Sequence, residues 1–480
     1  MKVAVIGGGP AGMTAAYQVS KRVGKQVTRL DVYEISDRVG GLSRSLDLWG
    51  QRVDLGPHRF FSHDPNINKL WLEVVQGQYG IVNRQTRIYY KKRFFDYPIR
   101  AFNALMGLGI FEAFRCLASY GVERMFPTRD TSTFEGWVTS RFGKRLYTIF
   151  FKTYSEKLWG IPCTELDSDF AAQRIKKLSL FEAIRNAIFQ GKGNKHATLV
   201  EQFAYPHGGT GSVYESMQRS IESRGGKVHL GTGVKRVITR GGRACAIELE
   251  NGQQPEYDEI ISTMPLSLLL ERLQEAPPEI GDLARKLTFR NTILVYLKVE
   301  RSNLFPDQWL YIHDPSVEVG RVTNFRNWLP SVYGASGASI LCLEYWCYFE
   351  DPLWKMEPEA LIEKAQQEIV QTGLVREGEA SEGHVVRLPR CYPVYFRGYR
   401  KIMEPVEVYL NSVGGLHAIG RYGAYKYNNQ DHSILMGMRV AENILDGTRH
   451  DLWAINTDYE TYQESSVITE TGLVTMASSG

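Results

Sequence analysis

Lys2-Val3-Ala4-Val5-Ile6-Gly7-Gly8-Gly9-Pro10-Ala11-Gly12 is the stretch on which the fold turns. An apolar, β-type run breaks into Gly-x-Gly-x-x-Gly, and Met13-Thr14-Ala15-Ala16-Tyr17 continues as a helix. The pattern predicts a strand, a tight turn and a helix whose free N–H groups face a pyrophosphate. Gly7 makes the turn, Gly9 lets phosphate approach the backbone and Gly12 lets the helix pack on the strand, with Pro10 and Ala11 completing the loop. Glu34 ends a second β-type run, Arg29-Leu30-Asp31-Val32-Tyr33, where an acid accepts from the hydroxyls of an adenosine ribose.

The 480 residues allow two or three domains, and 43% hydrophobic content is enough for sizeable cores. A formal net charge of +4 is too weak for a nucleic-acid binder. Six cysteines (116, 163, 245, 342, 347 and 391) form no Cys-x-x-Cys pair and no zinc spacing, so they read as reduced thiols with no metal site. The longest apolar run, Ala104 to Tyr120, is broken by Glu112 and Arg115, which argues against membrane insertion. With a buried strand starting at residue 2, the expectation is a soluble, cytoplasmic protein.

A second glycine element follows Glu34: Arg38-Val39-Gly40-Gly41-Leu42-Ser43-Arg44. The glycine pair permits positive φ or close approach to a ligand, and Arg38 and Arg44 are placed to meet phosphate. Proteins that bury an extended FAD carry such an element, whereas nicotinamide-only folds do not need it. The block from Gly7 to Ser43 resembles the FAD superfamily of amine oxidases, protoporphyrinogen oxidases, phytoene desaturases and UDP-galactopyranose mutases.

Further along, Val53 to His63 reads as a short strand entering a Gly-Pro loop. Its two histidines, His58 and His63, lack the carboxylates that a metal site needs; the loop is better placed against a flavin ring. Arg87 to Phe95 alternates like a hairpin around Lys91-Lys92, and about ninety residues of helical period begin at Tyr97. Tyr205 to Ser212 is another glycine loop, Val234 follows a strand and turn at the expected adenine end, and Glu259 to Ser262 reads as a further parallel strand. Residues 288–350 read as an antiparallel sheet and 358–374 as one amphipathic helix. From Leu416, a strand, a Gly-Arg loop and a helix beginning near Asp431 are predicted. The N-terminus of that helix is suited to stabilising negative charge on a reduced flavin.

Together these segments predict an α/β protein: a Rossmann-like FAD-binding domain with an inserted helical domain and an antiparallel β-sheet substrate domain. Residues 1–64, 196–265 and 412–450 form the first, 96–195 the second, 65–95 and 266–411 the third, and 451–480 a C-terminal tail.

Gly420-Arg421-Tyr422-Gly423, followed by Tyr427 and Asn429-Gln430-Asp431-His432-Ser433, is similar to the C-terminal signature of UDP-galactopyranose mutases, especially the eukaryotic type. The His58 loop, Trp309-Leu310-Tyr311, Gly320 to Phe325, Lys157-Leu158-Trp159 with Arg174, and Tyr392-Pro393 resemble further motifs of that family. The resemblance implies that Arg174 and Arg321 clamp a diphosphate, helped by Tyr311, Tyr392 and Tyr427. Trp309 and Asn429 then lie near sugar or phosphate, His58 beside flavin N5, and Arg421, Gln430 and Ser433 near the flavin. Tyr97, Arg100, Ser155 and Trp159 fall in the segments that line the family's substrate site. Two departures stand out: Ile99-Arg100 replaces an aromatic-glutamine pair that helps hold uracil, and Ser155 stands where the eukaryotic type has asparagine. The motifs therefore leave uracil, thymine and guanine nucleotides open.

The implied activity is a pyranose–furanose mutase acting on a nucleoside-diphosphate sugar, with FAD active when reduced and the sugar passing through an adduct at flavin N5. NAD(P)H is the reductant that the resemblance suggests, and the oligomeric state is left open. The competing reading is an FAD-dependent oxidase or desaturase of the amine oxidase or protoporphyrinogen oxidase kind. The pair Arg174 and Arg321, which an apolar substrate does not need, weighs against it.

Overall fold

A computed structural model describes residues 1–62, 64–97, 99, 104, 107–169 and 202–455, together with the backbone of 466–469 and 472–475. Arg100, Arg174 and His63 lie outside the described residues. Two sheets organise the chain. The first is wholly parallel, in the order Leu416–Ala418, Glu259–Ser262, Lys2–Ile6, Arg29–Tyr33, Lys227–His229. Val3, Ala4 and Val5 in its middle strand are fully buried. That is why this strand reads as a continuous apolar run rather than an alternating one. Helices Pro10–Ser20, Gly211–Ser223 and Gln430–Asp446 complete the Rossmann-like layer.

The turn after Lys2–Ile6 follows the glycine logic. Gly7 has φ +98, and a Cβ on Gly12 would lie 2.0 Å from the Gly7 carbonyl oxygen. The same economy joins the two ends of the chain: a Cβ on Gly437 would stand 2.5 Å from the Ala11 carbonyl oxygen, so the helices Pro10–Ser20 and Gln430–Asp446 cross in close contact. The first turn of Pro10–Ser20 thereby packs against the middle of Gln430–Asp446.

The second sheet has seven strands, in the order Ala380–Pro393, Phe289–Val299, Ser339–Cys347, Arg321–Asn324, Trp309–Ile312, Thr86–Tyr90, Arg93–Asp96. The predicted hairpin is present, with both Lys91 and Lys92 at positive φ as a two-residue turn requires. The sheet is not purely antiparallel, as the sequence reading had it. Trp309–Ile312 runs parallel to Thr86–Tyr90, because an early hairpin is added to a sheet built by the later chain. Helical segments Ile110–Met125, Phe134–Tyr147 and Thr153–Trp159, the last two joined by a π-type turn at Thr148–Lys152, cover one end. The six cysteines are free thiols, five of them buried.

Candidate active site

One cavity of about 780 Å³ runs between the two sheets and the helical segments. Its size is that of a site for a cofactor and a substrate together. Gly7, Gly9, Pro10, Ala11, Glu34, Gly41, Leu42, Ser43 and Val234 line it on the parallel-sheet side. His58, Gly420, Arg421, Asn429, Gln430 and Ser433 line the middle, and Tyr97, Ser155, Trp309, Tyr311, Arg321, Tyr392 and Tyr427 line the far side. Most of the residues singled out in the sequence thus meet in one place.

The parallel-sheet side fits an extended dinucleotide. The helix Pro10–Ser20 has no side-chain cap, so the N–H groups of its first turn are left for a ligand. A Cβ on Gly41 would stand 2.9 Å from Gly9 Cα, so the second glycine element is pressed onto the first and leaves a smooth backbone cradle. The Glu34 carboxylate, expected to accept from ribose, is also tied to the chain: it accepts from Gly8 N–H at 2.6 Å and Ser36 N–H at 2.9 Å. A second uncapped N-terminus, that of Gln430–Asp446, also opens on the cavity.

His58 follows Gly56 (φ +94) and Pro57, and its Nδ1 lies 3.2 Å from the Gly56 carbonyl oxygen. Burial, with the Arg321 charge second, pushes the imidazole down to about 4, so it is neutral at physiological pH. The loop is supported from below by Asp54. This carboxyl accepts from Ser45 Oγ at 2.5 Å, Thr210 Oγ1 at 2.7 Å, Tyr205 OH at 2.8 Å and Thr210 N–H at 3.1 Å. Thr210 Oγ1 also lies 3.2 Å from the His58 carbonyl oxygen, linking the two loops. Burial pushes Asp54 up to about 6.

On the far side Arg321 makes a two-pronged ion pair with Glu344, Nε–Oε1 and Nη2–Oε2 both at 2.5 Å. Burial opposes its charge, but Glu344 holds the guanidinium protonated. Of the five N–H donors of an arginine this pair uses two, so Nη1 keeps its donors for a ligand. Tyr392 OH lies 3.4 Å from Arg321 Nη2. Arg421 lies over the rings of Tyr427 and Tyr392, 4.3 and 4.9 Å from their centroids. Its Nη1 donates to the Asn428 carbonyl oxygen at 2.7 Å and its Nε to that of Cys391 at 2.9 Å. Tyr97 and Tyr311 pack at 4.5 Å between centroids, and Tyr154 stacks on His313 at 4.8 Å. The π-type turn before Thr153 carries Phe150 and Phe151 to the cavity wall.

Two placements differ from the sequence reading. Trp159 is fully buried and off the cavity wall, packing behind Tyr427 and Tyr392 at 5.7 and 6.2 Å. An indole so enclosed positions the tyrosines rather than touching a ligand. Arg38 bonds the Ser45 carbonyl oxygen at 3.3 Å and stays off the wall. Gly12 packs the helix on the turn and strand, as the sequence reading had it. Sequence reasoning missed Glu344, Tyr154 and Asp54. Glu344 had a signal: it is the one acid in the buried strand Ser339–Cys347, where a charge needs a partner.

The family model for flavin containing amine oxidoreductases matches residues 10–445. The chain belongs to that family. Membership makes FAD the expected tenant of the cradle, whose glycines and open helix N-terminus fit it. Among solved structures, a reduced UDP-galactopyranose mutase superposes with a TM-score of 0.83 at 25% identity, covering 95% of this chain and 96% of that one. Among curated relatives, coproporphyrinogen III oxidase of Bacillus subtilis is 23% identical over 299 residues, 57% of this chain and 62% of its own. The enzyme of the same name from Mycobacterium tuberculosis is 36% identical over 81 residues, so this member of the family spans 17% of its length.

Proposed function

We propose that this flavoprotein interconverts the pyranose and furanose forms of a nucleoside-diphosphate sugar. The observation that carries the reading is Arg321, half-buried in the cavity wall with Nη1 unspent and set among Tyr154, Tyr311, Tyr392 and Tyr427. Such a group recognises phosphate; a carotene offers it nothing to bind, whereas the propionate carboxylates of a porphyrinogen would also pair with it. The likeness to a reduced UDP-galactopyranose mutase supports it.

FAD, when bound and reduced, supplies the nucleophile for the anomeric carbon. The protein does the rest by position and charge. Because Glu344 cancels the formal charge of Arg321, a departing diphosphate needs further cations. Arg421 faces the same cavity and is matched with carbonyl oxygens instead of a carboxylate, and Arg174 is proposed as the second clamp. Tyr311, Tyr392 and Tyr427 donate hydroxyls to phosphate, which holds the leaving group close enough to return. Trp309 and Asn429 border the sugar. Neutral His58 keeps positive charge away from the reacting face while its loop shields that face from water.

A second reading, an FAD-dependent oxidase of a porphyrinogen, is favoured by the curated relatives. Equilibrium titration separates the two. The oxidised flavoprotein should bind UDP, TDP or GDP, and Arg321→Ala should weaken that binding at least about tenfold, a loss of about 1.4 kcal/mol. Binding of coproporphyrinogen but of no nucleoside diphosphate would favour the oxidase.

A further inference from the structure

The helix Ile110–Met125 turns its apolar side chains outward. Phe111 is 88% exposed, Ile110 84% and Phe114 71%, with Leu117, Val122 and Met125 exposed beside them. At about 100° per residue, Leu117, Ile110, Phe114 and Met125 form one stripe, and Phe111 and Val122 widen it on one side. The opposite face anchors the helix. Cys116 is buried there, Glu123 accepts from Thr128 N–H at 2.6 Å, and Ser119 Oγ accepts from Arg145 N–H at 3.1 Å. The outward stripe is therefore fixed by specific contacts beneath it.

Charge surrounds the stripe with one sign. On the same wheel Arg115 falls just beyond Val122, and Arg124 just beyond Leu117, so an arginine borders each edge. Both are exposed, as are Lys91, Lys92 and Arg93 of the neighbouring hairpin. Arg93 ties that hairpin to the start of the helix, its Nη1 donating to the Gly107 carbonyl oxygen at 2.6 Å. The acids of the helix offset this rim only in part. Glu112 is paired with Arg145 and Arg115, and Glu123 faces inward.

We propose that this face docks on an anionic lipid bilayer. The helix lies in the plane of the interface, with the phenylalanines among the acyl chains and the arginines reaching the headgroups. An apolar stripe between two basic edges complements such a surface. A second copy of the chain fits less well, because a symmetric pairing would oppose two basic rims. Among the described residues no helix is long and apolar enough to cross a membrane, so the attachment is peripheral.

The full-length, FAD-loaded protein should cosediment with vesicles of phosphatidylcholine and phosphatidylserine but not of phosphatidylcholine alone, and raised salt should release it. The double variant Phe111→Ser/Phe114→Ser should lower partitioning at least about tenfold. Arg115→Gln/Arg124→Gln should lower it and flatten the salt dependence. Val408→Ser, at an exposed apolar residue of the helix Arg400–Ser412, should change nothing. Equal flavin absorbance per protein shows that each variant is folded. Failure to bind anionic vesicles at any salt, or equal binding to both vesicle types, overturns the proposal. So does a dimer, seen by light scattering, that the phenylalanine variant abolishes while vesicle binding is absent.

Discussion

Arg321 and Glu344 are register partners on adjacent antiparallel strands, and their side chains meet prong to prong at 2.5 Å in a buried setting. The acid fixes the direction of the guanidinium and cancels its charge, leaving the ligand-facing nitrogen to be used. Removing one member of a buried pair strands the other. Glu344→Ala should therefore cost about 3–5 kcal/mol of unfolding free energy by denaturant titration. Glu344→Gln keeps the shape and should cost less, while still misaligning Arg321 and lowering turnover.

Tyr311 and Tyr392 offer hydroxyls beside Arg321. If they donate to a charged phosphate, each hydroxyl contributes about 1.5–3 kcal/mol. Tyr311→Phe and Tyr392→Phe should each lower kcat/KM about 10- to 100-fold in steady-state assays. The flavin content of both variants should match the parent.

The cradle predicts the opposite split. At Gly12 an added methyl would meet the Gly7 carbonyl oxygen at 2.0 Å, and at Gly41 it would meet Gly9 Cα at 2.9 Å. Gly41→Ala should weaken FAD binding at least about tenfold, read as the flavin-to-protein absorbance ratio after dialysis. Gly12→Ala should also lower stability by about 1–3 kcal/mol through overpacking.

Two buried groups predict opposing pH slopes of stability. Burial lowers His313 from 6.5 to about 3, so between those values the unfolded chain binds more protons and stability rises with pH. Burial raises Asp54 from 3.8 to about 6, so there the folded chain binds more protons and stability falls as pH rises. In denaturant unfolding across this acid range, His313→Asn should remove part of the rising slope. Asp54→Asn should remove the falling one.

What could be read from the sequence was local. Gly7, Gly9 and Gly12 state their turn within six residues, and Lys91-Lys92 states its hairpin within ten. The sequence places a helix start near Asp431; the helix begins at Gln430 and its Gly437 packs against the fingerprint helix. What escaped depended on register between distant segments. Glu344 meets Arg321 only because Ser339–Cys347 pairs with Arg321–Asn324, and the parallel seam joins Thr86–Tyr90 to residues some 220 positions away. Trp159 illustrates the same limit. Its motif is near the site, but helix rotation and the packing of Tyr392 and Tyr427 put its ring behind the wall.

The most direct test of the account is an anaerobic incubation of the dithionite-reduced flavoprotein with a panel of nucleoside-diphosphate sugars, followed by chromatographic separation of ring-size isomers. The account predicts a furanose product from at least one pyranose donor, formed without net oxidation and absent with the unreduced protein. No isomer from any donor, together with oxygen consumption on coproporphyrinogen, would contradict it.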